Sequence, residues 1–442
     1  MGKKVVAIVG RPNVGKSSLF NSLVGERISI VQDTPGVTRD RIYGDVTWLN
    51  SKFTLIDTGG IEPKSDDKML VYMREQAMIA IDTADVIIFV TDVREGLVDA
   101  DHEVADLLRR SGKDIVLCVN KVDSFEKFLN ATYEFYNLGI GDPIPVSAAN
   151  NLGFGDLLDE VVKYFDEESP EEEDNELPRI AIVGKPNVGK SSIINRLLGE
   201  NRVIVSDVAG TTRDAIDTIV RNGEKEYVFV DTAGLRRHAK IKEDIERYSI
   251  IRTVTSVEKA DIVIVVIDAS EGITEQDAKI AGIAHDAGKG IIIAVNKWDA
   301  IEKNDKTIYE HQDKIREVLS FIRYADIIFI SAKTGQRMQN IFTAIEEVID
   351  SQNRRIQTGV LNQIITEAVA LQAPPTDKGK RLKIFYATQV NVKPPTFVVF
   401  VNDKELMHFS YVRYLENKLR EVFLFKGTSL KFIIREREQD EK

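Results

Sequence analysis

The chain has 442 residues, 43% of them hydrophobic and 29% charged, and a net charge of -11. That length exceeds one compact core and suits two or three domains of ordinary size. No apolar run approaches the roughly 18 to 20 residues that cross a bilayer, and the opening Met1-Gly2-Lys3-Lys4 runs straight into a β-type segment without a signal-peptide core, so a cytoplasmic protein is expected. The single cysteine, Cys118, cannot form an internal disulfide and sits in the apolar run Ile115 to Val119, where a buried strand thiol is expected. The five histidines show no metal-ligand spacing.

In chain order, the β-branched run Val5 to Val9 leads into Gly10-Arg11-Pro12-Asn13-Val14-Gly15-Lys16-Ser17-Ser18, followed by a helical pattern. GxxxxGKS between a strand and a helix is a phosphate cradle. Gly10 and Gly15 let backbone N-H groups wrap the phosphates, Lys16 neutralises β- and γ-phosphate charge, and Ser17 offers its hydroxyl to Mg2+. The next loop holds Gly36-Val37-Thr38-Arg39-Asp40, in which Thr38 is placed to close on Mg2+ when γ-phosphate is present and to release afterwards. Arg39 fits a structural ion pair as well as a catalytic role.

The run Phe53 to Ile56 ends at Asp57-Thr58-Gly59-Gly60, where Asp57 suits Mg2+ through water and the Gly60 N-H suits the γ-phosphate. After the runs Val86 to Val90 and Ile115 to Val119 comes Asn120-Lys121-Val122-Asp123. An ionised carboxylate accepts hydrogen bonds and donates none, so Asp123 fits the N1-H and N2-H2 edge of guanine. Adenine lacks that pair of donors, and GTP is therefore expected over ATP. Ser147 and Ala148, in Ser147-Ala148-Ala149, complete the set of nucleotide contacts.

Between Asp166 and Glu176 lie eight acidic residues, one proline and no apolar side chain, a composition that repels itself and reads as an extended linker over 166-177. Beyond it the motifs return. Arg179 to Glu200 repeats Val5 to Glu26 at an offset of 174, bringing Gly184, Asn187, Gly189, Lys190, Ser191 and Ser192; the same offset brings Thr212 beside its rival Thr211, Arg213, Asp231 and Gly234. With slight drift follow Asn296-Lys297-Trp298-Asp299 and Ser331-Ala332-Lys333. Continuous Val/Ile runs, here Ile180 to Val183, Tyr227 to Val230, Ile262 to Ile267 and Ile291 to Val295, alternate with amphipathic stretches. They predict buried, mostly parallel strands with helices on both faces, an α/β P-loop fold in each copy over 1-165 and 178-352. In such sheets ligands bind beyond the carboxyl ends of the strands, where every motif falls.

Many GTPases place a glutamine directly after DxxG to orient the attacking water. Here the residues are Ile61 and Leu235, which offer no hydrogen bond. Help must come from elsewhere, and Asn13 and Asn187 are candidate ligands for K+, a cation able to stand in for an arginine finger.

Residues 353-442 carry 16 Lys+Arg against 10 Asp+Glu, so a basic end follows an acidic body. They read as helix (Val360 to Leu371), strand (Leu382 to Val392), strand (Thr396 to Val401), helix (Tyr411 to Phe423) and strand (Leu430 to Ile434), a small α+β domain. Lys378, Lys380, Arg381, Lys383, Lys393, Arg413, Lys418 and Arg420 are candidates for a phosphate-binding face. No GxxG clamp of the KH type is present, the nearest stretch being Asp377-Lys378-Gly379-Lys380.

The paired PNVGKSS, GVTRD/GTTRD, DTGG/DTAG and NKVD/NKWD motifs, with Lys383 to Asn402 and Tyr411 to Phe423, make the chain resemble the bacterial Der (EngA) family along nearly its whole length. That family has two Era-like GTPase domains, an acidic linker and a KH-like domain. Ser429 departs from it, since a proline usually follows Gly-Thr there. The resemblance implies a role in assembling the large ribosomal subunit, with the subunit and its rRNA as partners, a monomeric state, and neither DNA nor membrane as partner. An RNA-modification GTPase would instead have one GTPase domain and a C-terminal cysteine. A nucleotide-gated scaffold with one non-hydrolysing domain sits poorly with two intact sets of lysine, serine and aspartate.

Overall fold

The computed structural model describes residues 3-24, 43-58, 69-124, 128, 131-165, 177-200, 217-232, 245-304, 306-374, 376-377 and 380-436. Thr38, Arg39, Gly60, Ile61, Thr211, Thr212, Arg213, Gly234, Leu235, Lys378 and the acidic run lie outside the described residues. The chain falls into two compact units, one of Met1–Glu176 with Lys242–Lys259 and one of Leu177–Ile241 with Ala260–Lys442.

In the first unit, strands β1 (Lys4–Gly10), β2 (Tyr43–Trp48), β3 (Ser51–Asp57), β4 (Val86–Asp92), β5 (Asp114–Asn120) and β6 (Ile144–Pro145) form one sheet in the order β2-β3-β1-β4-β5-β6. All neighbours run parallel except the hairpin β2-β3. Strands β1, β3, β4 and β5 are buried on both faces because helices cover both. Val6 and Ile8 pack against Leu19 and Phe20 of α1 (Lys16–Val24) and Leu157 and Val161 of α4 (Phe154–Val162). Ala7 and Val9 face Met73 of α2 (Met69–Thr83) and Leu108 of α3 (Asp99–Ser111). This two-sided burial is why the strand sequences show no polar alternation.

The second unit repeats the arrangement. Strands β7 (Arg179–Val183), β8 (Thr218–Asn222), β9 (Lys225–Phe229), β10 (Ile262–Asp268), β11 (Gly290–Asn296) and β12 (Asp326–Phe329) follow the order β12-β11-β10-β7-β9-β8. Here α5 (Lys190–Glu200) and α9 (Asn340–Gln352) cover one face, with Ile193, Leu197, Phe342 and Ile345 in its core. The helix α6 (Ile245–Glu258), which in sequence belongs to this copy, is grouped with the first unit. The remaining helices of this copy are α7 (Glu275–Asp286) and α8 (Thr307–Val318).

The C-terminal segment has the expected order: α10 (Thr358–Leu371), β15 (Ile384–Asn391), β16 (Thr396–Val401), α11 (Phe409–Phe423) and β17 (Lys431–Glu436), preceded between α10 and β15 by a short ribbon of β13 (Thr376–Asp377) and β14 (Lys380–Arg381). β15 pairs antiparallel and β17 parallel with β16. This segment is continuous with the second α/β domain in one compact unit. Gly427 joins them: its N-H donates to Tyr324 O at 2.8 Å and its carbonyl accepts from Ile291 N at 2.6 Å. With φ of +66° and only 2.2 Å between an added Cβ and Val348 Cγ2, the position tolerates no side chain.

The same joint corrects one expectation. Arg420 is no part of a phosphate-binding face, because its guanidinium donates to Glu416 Oε1 at 2.8 Å, to Phe425 O at 2.8 Å and to Thr428 O at 3.0 Å, and lies 4.5 Å from the ring of Tyr324. Tyr324 is also 2.7 Å from His285 Nδ1. Burial, then Arg420 and Arg413, lower the His285 pKa from 6.5 to about 4. The fold therefore refuses a proton that the unfolded chain takes up below about 6.5, and the stability tied to this histidine is whole above that pH and falls as pH drops toward 4. That group alone should remove about 3 kcal/mol by pH 4. Urea unfolding at pH 7 and pH 4.5 should show a smaller pH-dependent loss for His285→Gln than for the parent chain.

Candidate active sites

In each sheet the chain leaves the first strand to pair on one side and then crosses to the other, so β1 lies between β3 and β4, and β7 between β9 and β10. Such a reversal opens a crevice at the carboxyl ends of the strands. The phosphate loops occupy it. An added Cβ on Gly10 would lie 2.3 Å from Val90 O and one on Gly184 would lie 2.6 Å from Val266 O, which explains both glycines sterically. Gly15 (φ +93°) and Gly189 (φ +99°) combine left-handed backbone with close approach, 2.4 Å to Asn120 Nδ2 and 2.2 Å to Asn296 Nδ2. Asn13 and Asn187, with φ of 64° and 63°, sit exposed in the loops.

Inside each loop the lysine ammonium is held by backbone. Lys16 Nζ donates to Gly10 O at 2.8 Å and Arg11 O at 2.6 Å; Lys190 Nζ donates to Gly184 O and Lys185 O, both at 2.6 Å. Burial lowers the pKa of Lys190 to about 8, which favours an anionic ligand able to compensate the desolvated charge. Beside Lys16, Ser17 Oγ donates to Asp57 Oδ2 at 3.0 Å, bringing hydroxyl and carboxylate to one point. Ser191 and Asp231 hold the corresponding places in the second copy, at the start of α5 and just past β9. Ser18 and Ser192 follow in the first turns of their helices and are exposed.

At the other end, Asn120 and Asn296 are buried and spend their amides on the protein. Asn120 Nδ2 donates to Val14 O at 2.7 Å and its Oδ1 accepts from Ala148 N at 3.0 Å; Asn296 makes the same pair with Val188 O at 2.8 Å and Ala332 N at 3.0 Å. Three loops are thereby tied together. Asp123 accepts from Ser147 Oγ at 2.6 Å and Asp299 from Ser331 Oγ at 2.6 Å. These serine hydrogen bonds are the main reason both carboxyls are held below the usual range, so both are ionised acceptors at neutral pH. Asp123 also receives Arg94, whereas the matching position of the second copy is Ser270, which turns to Asp268 at 2.6 Å.

Sequence reasoning missed two carboxylates. Asp92 and Asp268 end β4 and β10, and each takes the lysine of the NKxD motif, Lys121 Nζ or Lys297 Nζ, at 2.5 Å. Both lysines have left-handed backbone, φ 65° and 61°. The available signal was a second repeat, Asp92-Val93-Arg94-Glu95-Gly96 against Asp268-Ala269-Ser270-Glu271-Gly272.

A glycine cradle around a lysine, a serine and aspartate converging beside it in the first copy, and a carboxylate suited to two donors define a P-loop GTPase, here twice in one chain. Residues 5-121 and 179-297 match the family model of a 50S ribosome-binding GTPase, and 355-435 match the KH-domain-like C-terminal module of EngA bacterial GTPase enzymes. Proteins named GTPase Der are 73% identical in Lachnoclostridium phytofermentans, 71% in Agathobacter rectalis and 68% in Lachnospira eligens, each over 100% of both chains. The chain belongs to the GTPase Der family and is a GTP-hydrolysing protein.

The base-reading geometry gives a direct test. Asp123→Asn keeps one carbonyl acceptor but presents an N-H to the other guanine donor, so one hydrogen bond is lost, the remaining one loses its charge assistance, and GTP at the first site should weaken by about a hundredfold or more. Xanthine, which replaces the guanine N2 donor by an acceptor, should gain. Titration of both nucleotides, with the second site silenced by Lys190→Ala, checks this exchange.

Proposed function

We propose that this chain is a GTP-driven switch in the assembly of the large ribosomal subunit, with two nucleotide sites that both turn over. The observation that carries the reading is the duplicate site: each lysine is held by the same two carbonyls, each asparagine amide ties the same loops, and each base-reading aspartate has the same serine partner. A scaffold with one dead site has no reason to keep both. The ribosomal part rests on the names of the family models and relatives and on the basic C-terminal segment. Large-subunit rRNA is the proposed partner, and the protein acts as a cytoplasmic monomer.

Hydroxyl and carboxylate oxygens are the donors that Mg2+ prefers, and the convergence of Ser17 on Asp57 fits that ion; Ser191 and Asp231 are its proposed second pair. Mg2+ supplies charge neutralisation on the phosphates. Thr38 and Thr212 are the proposed switch residues, with Gly60 and Gly234 at the γ-phosphate. The third proposed ingredient is K+ at Asn13 and Asn187, exposed residues of the phosphate loops in copies whose DxxG is followed by Ile61 and Leu235 in place of glutamine. Hydrolysis should run faster in KCl than in NaCl, and Asn13→Ala with Asn187→Ala should abolish the difference. Equal rates in the two salts would remove potassium from the scheme.

The switch itself is tested by sedimentation with ribosomal subunits in a non-hydrolysable GTP analogue, in GDP and without nucleotide. Large-subunit association should depend on the nucleotide. Binding that is the same in all three states, or a preference for the small subunit, contradicts the proposal.

A further inference from the structure

A second ionic device lies behind each phosphate loop. Arg11, the residue after the first loop glycine, is 6% exposed, and its Nε donates to Asp101 Oδ1 at 2.9 Å while Nη1 donates to Glu95 Oε2 at 2.6 Å. Asp101 is fully buried at the start of α3. In the second copy Lys185 takes the place of Arg11, with Nζ 2.8 Å from Glu271 Oε2 and 3.6 Å from the fully buried Asp277 of α7. The cation differs, guanidinium in one and ammonium in the other, yet the carboxylates come from equivalent positions.

Such pairs are a poor way to gain stability, because desolvation offsets most of the attraction and well-packed apolar residues usually do as well. Burial pushes both aspartate carboxyls above the usual range despite their cations. Polar atoms are also sacrificed: Arg11 Nη2 and Asp277 Oδ1 are buried without a hydrogen-bond partner. What the pair does accomplish is positional. Arg11 and Lys185 are the residues whose backbone carbonyls accept from Lys16 Nζ and Lys190 Nζ at 2.6 Å. Anchoring the side chain toward α3 or α7 fixes the peptide that aims the phosphate-binding ammonium.

We propose that Arg11 and Lys185 are positioning residues for GTP hydrolysis, each braced by a buried aspartate so that its carbonyl holds the loop lysine in register. The inference rests on the GTPase reading of these sites and deepens it. It requires the lysine to matter more for the transition state than for product binding, since charge on the phosphates shifts during transfer.

The test uses the full chain with Lys190→Ala, so that only the first site turns over, and measures single-turnover GTP hydrolysis beside GDP affinity and thermal unfolding. Arg11→Met should slow hydrolysis about tenfold or more while GDP affinity changes by less than about threefold. Arg11→Lys, the residue used in the second copy, should keep the rate within about threefold. Arg11→Met with Asp101→Asn, which removes the unpaired buried charge and keeps an oxygen for the Val98 N-H that Asp101 Oδ2 accepts at 3.4 Å, should recover thermal stability without recovering the rate. A rate that returns together with stability in that double variant, or an Arg11→Met chain at the parental rate, overturns the brace and leaves the GTPase reading intact. A parent that hydrolyses no GTP in either site refutes both.

Discussion

The amide of one buried asparagine in each copy holds the nucleotide site together. Asn120 and Asn296 end the fifth strand of their sheets in sequence, and each donates to the phosphate loop while accepting from the Ser-Ala loop. A buried amide left half satisfied costs about 1 to 3 kcal/mol, so both loops are held at fixed distance from the strand. The steric consequence is visible at Gly15 and Gly189, where any Cβ would run into that amide. The glycine of GKS is thus required by the asparagine of NKxD, and two motifs more than 100 residues apart form one object.

From this bracket the rest of the site follows by adjacency. The residue after Asn120 sends its ammonium to Asp92 at the end of β4, and Asp123 is turned toward Ser147. Lys121 and Asp123 therefore depend on strand ends that are pinned in a parallel register, Asp92 opposite Asn120, as Asp268 is opposite Asn296 in the second copy. Duplicating the fold reproduced this network almost bond for bond. The copies differ at the exposed Arg94 and Ser270, and also at the buried Arg11 and Lys185, where a cation is kept although its chemistry changes.

How much of this could be read from sequence depended on burial and on repetition. Strands β1, β4, β5, β7, β10 and β11 were legible because helices cover both faces and the side chains are uniformly apolar. β2 and β8 were not, since an edge strand such as Tyr43–Trp48 buries only Val46 and carries no hydrophobic run. The phosphate and base motifs were legible because their glycines and carboxylates stand in fixed short spacing. Arg11, Asp92 and Asp101 were not, because their roles depend on contacts spanning 29 to 90 positions along the chain; the repeat around Asp92 marks the position without disclosing its partner.

Charge counting failed at Arg420 for a related reason. A basic residue on an amphipathic helix reads as solvated, but α11 ends where the loop through Gly427 must turn back to meet β11, and that loop leaves carbonyls in need of donors. A guanidinium offers five donors in a planar fork, enough to serve Phe425 O, Thr428 O and Glu416 while its face covers Tyr324. A lysine there would supply the charge without the plane. The joint between the second α/β domain and the C-terminal segment is therefore built by backbone pairing at Gly427 and sealed by Arg420 over Tyr324, with neutral His285 on the tyrosine's hydroxyl. Because that seal needs an uncharged imidazole beside a fixed guanidinium, the joint loses stability as pH falls from about 6.5 toward 4.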